Sequence, residues 1–307
     1  IHLHMARTLS MSILTAARLS RIPTISTLHE YFSLWNFDPF HRMEDVVCTK
    51  PPFYVEWIRN IHRLETKHVQ YVTSPMPETF QIYLKERYYS QARYIHITNA
   101  LKPFPPEKTE YYRRIRQSRK PKKFLMIGRL MPFKGIENTL EIFSDRSVTE
   151  QFELHIAGDG PMRTQIEKIC QKHDNIYYHG FVIDDAKEKL FANCDMLIFL
   201  TSELETYGLV VAEAFQRCMP AIVSDVQAMR NIVSDKNGII IQKLDRDSFL
   251  SSMRTISQGD NYVNMVDALS NMEWEKQYKR MLSRYQSVYL SAIQNNNQGE
   301  NHVDRRV

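Results

Sequence analysis

From residue 122 to 242, short apolar runs alternate with stretches of helical periodicity, and no other feature of the 307-residue chain restricts its fold so tightly. The runs are KFLMIG (123–128), FELHIAG (152–158), NIYYHG (175–180), MLIFLTS (196–202), AIVSD (221–225) and GIIIQ (238–242). Helical stretches separate them at 136–144, 161–172, 184–193, 208–217 and, more briefly, 227–233. Strands that are apolar on both faces and joined by amphipathic helices build a parallel, doubly wound sheet. The expectation is a complete Rossmann-like α/β domain over 122–270. A shorter run of the same alternation precedes it: strand IHLHM, helix 8–20, strand PTISTLH (23–29), a helical region 51–69, strand QYVTS (70–74), helix 76–88 and strand YIHIT (94–98). That predicts a second Rossmann-like domain over 1–101. It opens in mid-strand at Ile1, with no basic or apolar leader, so it is expected to be incomplete and to carry no secretory signal.

Composition places the remaining segments. Residues 102–123 (KPFPPEKTEYYRRIRQSRKPKK) hold nine basic residues, two acidic ones and four prolines. Such a stretch resists burial, and 102–121 reads as a basic interdomain linker. No base-stacking or groove-reading motif accompanies it, so nucleic acid is not an expected partner. The polar tail 293–307 reads as disordered. The longest apolar stretches are strand-sized, which predicts no transmembrane helix. Cys48, Cys170, Cys194 and Cys218 stand far apart, without metal-ligand spacing, as in a reduced cytoplasmic protein.

In open parallel sheets, ligands bind beyond the carboxyl ends of the strands, so chemistry is sought in the loops that follow them. The first, GRLMPFKG, offers Arg129 and Lys134, two cations able to clamp a diphosphate and neutralise it as it leaves. Solvated loop cations are the plainer alternative. The second, GDGPM, turns strand into helix at Gly158 and Gly160 but lacks the third glycine of a dinucleotide fingerprint, which argues against an NAD-dependent dehydrogenase. The third, SELETYGLVVAEAF, carries Glu205 in the loop and Glu213 on an otherwise apolar helix face. A carboxylate there needs a partner. Ribose hydroxyls would serve, and so would Arg217 one helical turn on. The amides of Thr206, Tyr207, Gly208 and Leu209, at a helix start, form an anion site.

In the N-terminal half, His29 ends a strand where an acceptor-side domain would face the donor. His2 and His4 share a strand face without further ligand candidates, so no metal site is expected. Arg59, Arg63 and Lys67 make a basic helical stripe, either solvated or in contact with an anionic membrane or a phosphorylated acceptor.

The segments GRLMPFKG, AGDGPM, HGFV, ELETYGLVVAE, CMPAIVSD and NGIII, in this order, resemble the large family-4 retaining glycosyltransferases, over nearly all of 122–292. Glu205 and Glu213 have the spacing of that family's E-x7-E motif, with its GR-x4-K element upstream. The resemblance implies a GT-B fold, two Rossmann-like parallel-sheet domains facing a cleft, with the N-terminal one incomplete here. It implies a nucleotide-sugar donor, retention of anomeric configuration, and neither metal nor further cofactor. On this reading Arg129 and Lys134 hold the diphosphate, Glu205 and the amides of Thr206 to Leu209 the transferred sugar, and Glu213 the ribose. STLHEYF is similar to the family's strand-end histidine segment, which puts His29 beside that sugar, and NMEWEKQYKRMLSRY resembles its terminal helix, which implies a crossover helix over 271–292. Departures are Thr98 and Ala100 in the domain-boundary segment, Cys218 where glycine is usual, and QAMRNIV (227–233) where a Gly-Gly and a Glu are common.

The function expected is therefore transfer of a sugar from a UDP- or GDP-linked donor to a glycan or lipid-linked acceptor in cell-surface polysaccharide synthesis, in the cytoplasm or peripherally at the inner membrane face. A sugar-nucleotide epimerase of the same fold and a non-catalytic donor-binding fragment are the alternatives. An incomplete first domain would leave a sheet edge unpaired, and the chain alone is expected to bind nucleotide but to transfer sugar poorly.

Overall fold

The computed structural model describes residues 1–4, 11–29, 31, 53–201, 205–243 and 245–303, with the backbone alone for Val55 and 296–303. It divides into two compact units, Ile1–Ala100 with Lys276–Val307, and Leu101–Glu275.

The first unit is built on a four-stranded parallel sheet of β1 (His2–Leu3), β2 (Ile25–Thr27), β3 (Tyr71–Ser74) and β4 (Arg93–His96), paired in that order. Helices Ser12–Leu19, Phe53–Thr66 and Pro77–Lys85 make the crossovers. One core gathers Leu14, Leu28, Val72, Phe80, Tyr83 and Tyr88. A second joins Ile25, Tyr71 and Ile97 to Val288 and Ala292 of the terminal helix, Trp274–Val303. That helix corrects the expected disordered tail, since it runs through 293–303. Once nucleated on its buried residues, a helix propagates at little cost per residue, and the Asn295 amide donates to the Tyr71 hydroxyl at 2.8 Å.

The second unit carries a six-stranded parallel sheet: β5 (Lys123–Ile127), β6 (Glu153–Ala157), β7 (Ile176–Tyr178), β8 (Met196–Phe199), β9 (Ala221–Ser224) and β10 (Gly238–Ile241). The order is β10-β9-β8-β5-β6-β7. It is the doubly wound order in which the chain reverses direction across the sheet between β5 and β8, leaving a crevice beyond their carboxyl ends. Phe124, Phe143 and Phe249, all fully buried, meet edge-on or tilted at 5.2–5.5 Å between centroids. Each contributes roughly 2 kcal/mol through burial. β8 ends at Phe199, before the end of the run read as strand.

The basic linker is also corrected. Within 102–121, Pro106–Gln117 is a helix with proline at its start, and it belongs to the second unit. Its Arg116 is fully buried and donates to three backbone carbonyls: Arg217 at 2.8 Å, Phe191 at 2.6 Å, and Cys194. Arg113 and Gln117 bind the Asp267 carboxylate at 2.9 and 2.7 Å. The charges that argued for a solvated linker are the ones that bind it down.

Cys218, the departure from the usual glycine, lies in the left-handed region at φ 52°, just past the helix Leu209–Gln216. Its amide and that of Met219 close the helix end on the carbonyls of Phe215 and Ala214, both at 2.9 Å.

Candidate active site

The crevice beyond β5 and β8 is where the predicted residues collect. The loop after β5 makes a 3-10 turn at Pro132–Lys134, and Gly135 follows at φ 65°. A Cβ on Gly135 would overlap the Leu200 carbonyl, so only glycine lets this loop lie against the end of β8. Gly158, at φ 138°, meets the Gly128 carbonyl as closely, bringing the loop after β6 beside the end of β5. The start of the third loop is fixed by Thr201, whose amide donates to the Ser224 hydroxyl at 3.0 Å, while that hydroxyl donates back to the Thr201 carbonyl at 2.6 Å.

These contacts place Lys134 beside Glu205. The ammonium donates to Oε2 at 2.9 Å, with only 23% and 18% of the two side chains exposed. Oε1 of Glu205 accepts from the amides of Thr206 at 3.1 Å, Tyr207 at 3.5 Å and Gly208 at 3.3 Å. Burial pushes the Glu205 carboxyl up. The Lys134 charge and the amides of Tyr207 and Gly208 outweigh it and hold the group below the ordinary carboxylate value. The amides read from sequence as a free anion site thus hold the protein's own carboxylate, except that of Leu209.

A cavity of about 440 Å³ opens beside this pair, lined by Arg129, Gly158, Leu209 and Glu213 of the predicted set, with Lys187 and Phe181 added. Lys134, Gly160, Glu205, Thr206, Tyr207 and Gly208 do not line it. The amide of Gly160 donates to the Asp159 carboxylate at 2.9 Å. Arg129 is exposed, and its guanidinium has no ion pair among the described residues.

Glu213 does not pair with Arg217, the protein partner considered from the sequence. Lys187 donates to its Oε1 at 2.8 Å. Arg217 instead donates to the Glu213 backbone carbonyl at 2.8 Å and pairs with Glu188, so the helical-turn ion pair is corrected. Lys187 and Phe181 escaped the sequence reading. Lys187 lies on an ordinary amphipathic helix, Asp184–Asn193, with no motif around it, whereas the HGFV segment that ends in Phe181 and Val182 was a signal in hand.

His29, two residues past β2 in the first unit, has company that the sequence did not show. His4 Nδ1 and His29 Nε2 are 3.0 Å apart with their rings stacked, and the His2 ring is 4.0 Å from that of His4. Nε2 of His2 is 2.7 Å from the Thr27 hydroxyl. Burial, then the neighbouring His4, lowers the His29 pKa, and burial with the adjoining rings brings His2 down to about 4. Among the described residues no three His, Cys, Asp or Glu side chains are arranged to hold a metal.

The basic stripe does not form. Arg59 is 5% exposed, and it and Arg63 turn inward to Glu86 and Glu56, leaving Lys67 outside. Among the described residues no helix is long and apolar enough to cross a membrane.

The second unit is a doubly wound α/β sheet with cations and carboxylates in the loops at its switch point. The family described as glycosyl transferases group 1 matches residues 107–271, more than half of the sequence, and the chain belongs to that family. An uncharacterized glycosyltransferase of Methanocaldococcus jannaschii is 31% identical over 146 residues, 46% of this chain and 37% of that protein. The alignment thus spans little more than a third of that relative's length. An alpha-monoglucosyldiacylglycerol synthase of Acholeplasma laidlawii is 23% identical over 313 aligned residues, 97% of this chain and 76% of that one. Among solved structures, Anabaena HepE in complex with UDP-glucose superposes with a TM-score of 0.66 at 14% identity, covering 94% of this chain and 78% of that one. The fold is GT-B, two parallel-sheet α/β units.

Proposed function

We propose that the chain is a retaining glycosyltransferase that moves a sugar from a UDP- or GDP-linked donor to a glycan or lipid-linked acceptor in cell-surface polysaccharide synthesis. The observation that carries this reading is a strand-end cavity lined by Arg129 and Glu213, with the Lys134–Glu205 pair joining the loops after β5 and β8. Arg129 has no ion pair among the described residues and is available to a diphosphate. Lys134 is shared with Glu205 until a donor arrives, when it turns to the diphosphate and takes up the charge that grows as the glycosidic bond breaks. Glu205 is anionic and fixed by the loop amides, a hydrogen-bond acceptor for hydroxyls of the transferred sugar. Glu213, with Lys187 beside it, accepts from the ribose hydroxyls.

Two cationic side chains at the diphosphate do the work a divalent metal does elsewhere, so no metal is required. Binding of UDP-glucose by HepE supports the donor class, and the name of the Acholeplasma relative supports a lipid acceptor. A cytoplasmic place at the inner membrane face follows from that acceptor. The test is incubation with UDP- and GDP-sugars and lipid or glycan extracts, with and without chelator. Nucleoside diphosphate release that depends on acceptor and survives chelation is expected. A new sugar nucleotide formed without acceptor would show an epimerase, nucleotide binding without turnover a donor-binding fragment, and loss of transfer on chelation a metal requirement.

A further inference from the structure

Two ion pairs of opposite sense join the helices Asp184–Asn193 and Leu209–Gln216. Lys187 reaches Glu213 at the cavity, and its sequence neighbour Glu188 reaches Arg217, just past the end of the second helix. Glu213 and Arg217 stand one helical turn apart, the spacing at which a glutamate and an arginine on one helix normally pair. Here they do not. Nη1 of Arg217 donates to the Glu213 backbone carbonyl at 2.8 Å and Nη2 to Oε1 of Glu188, with the arginine side chain only 7% exposed.

A socket of named side chains holds the guanidinium in that pose. Its central carbon lies 4.5 Å from the centroid of the Phe191 ring and 4.9 Å from that of Phe104. Glu188 is anchored in turn by its other oxygen, which accepts from the Tyr112 hydroxyl at 2.6 Å and lies 3.2 Å from the Lys108 ammonium. Burial pushes the Glu188 carboxyl up, but Arg217, Tyr112 and Lys108 outweigh it and bring it down to about 2, so it is anionic across the neutral range. The socket leaves Arg217 incompletely satisfied, because its buried Nε has no partner among the described residues. Ring faces attract a cation less strongly than a carboxylate does. Without the Glu188 charge, the nearest carboxylate on the arginine's own helix is that of Glu213, one turn back.

We infer that Glu188 is a positioning residue for the donor site: by engaging Arg217 it keeps that arginine off the Glu213 carboxylate and leaves Glu213 open to the nucleotide. Glu188 does not line the cavity and acts only through Arg217. This rests on the proposed contact of Glu213 with the donor ribose.

The test is calorimetric titration of the full chain with UDP and GDP, alongside steady-state kinetics. Glu188→Gln keeps the side chain's shape and removes its charge, and should weaken nucleotide binding by roughly tenfold. Donor KM should rise while kcat stays within about twofold, because a ribose contact is equally strong in ground and transition states. Arg217→Met, alone or combined with Glu188→Gln, leaves no cation to capture Glu213, and both proteins should bind nucleotide within about threefold of wild type. A merely structural ion pair gives a different pattern, in which either single substitution weakens binding alike. In a Glu213→Ala background, Glu188→Gln should change nothing further. If Glu188→Gln does not fold, Glu188→Asp, which draws the carboxylate back from Arg217, should weaken binding about threefold or more, again restored by Arg217→Met. Binding by both Glu188 variants within about twofold of wild type, or a loss on Arg217→Met as large as that on Glu188→Gln, would overturn the inference. Weakening by Glu213→Ala without weakening by Glu188→Gln fails the positioning role alone. No effect of Glu213→Ala, or no binding of either nucleotide, fails the donor reading and the positioning role with it.

Discussion

The Lys134 ammonium sits 2.9 Å from the Glu205 carboxylate, tying the loop after β5 to the loop after β8 where the strand order reverses. Each partner preserves the other's position and charge for a donor, and neither can be removed without leaving a largely buried ion unpaired.

Replacing Lys134 by Met should therefore raise the Glu205 pKa and cost about 1–3 kcal/mol of stability near pH 7. The folded carboxyl is held below its ordinary 4.5. Its contribution to stability is thus present above that value and lost as pH falls through the folded one. Urea unfolding across acid pH checks this: the wild type should lose stability in that window and the variant should lose less. Equal acid slopes would show that the pair contributes nothing.

Glu205→Ala should reduce turnover more than nucleotide affinity, because the role proposed for the carboxylate is a contact with the transferred sugar. Steady-state kinetics with a parallel UDP titration separates the two. A loss of UDP affinity with turnover intact would move Glu205 to the nucleotide.

For Arg129→Ala, donor binding and turnover should both fall by roughly tenfold or more, since the diphosphate charge grows toward the transition state. The melting temperature should not move, because the exposed guanidinium makes no ion pair with the described residues. Activity within about twofold of wild type would make Arg129 a solvated loop residue.

Arg116→Met should destabilise the second unit by about 3 kcal/mol, as three buried carbonyls lose their donor at once. Denaturant titration gives the value. A change under about 0.5 kcal/mol would mean that water replaces the guanidinium without loss.

Much of the second unit was legible because buried parallel strands leave an unambiguous mark. All six apolar runs from 123 to 242 contain a strand, and the loops after β5, β6 and β8 carry the residues that meet at the crevice. What pattern could not show was which charge meets which. Arg116 and Arg59 read as solvent-facing cations, yet one binds three carbonyls and the other Glu86, because burial of a long basic side chain depends on acceptors distant in sequence. Glu213 was recognised as needing a partner, but Lys187 comes from a helix with no motif. His4 and His29, just past β1 and β2, become neighbours only through the parallel pairing of those strands, where His2 stands opposite Ile25.

Calorimetric titration of UDP, GDP and their glucose and mannose conjugates tests the central claim that the crevice beyond β5 and β8 is a sugar-nucleotide site. At least one sugar nucleotide should bind saturably at one equivalent per chain. Glu213→Ala and Arg129→Ala should each weaken that binding by roughly tenfold, about 1.4 kcal/mol. Failure of all of these nucleotides to bind, or binding that both substitutions leave unchanged, would contradict the account.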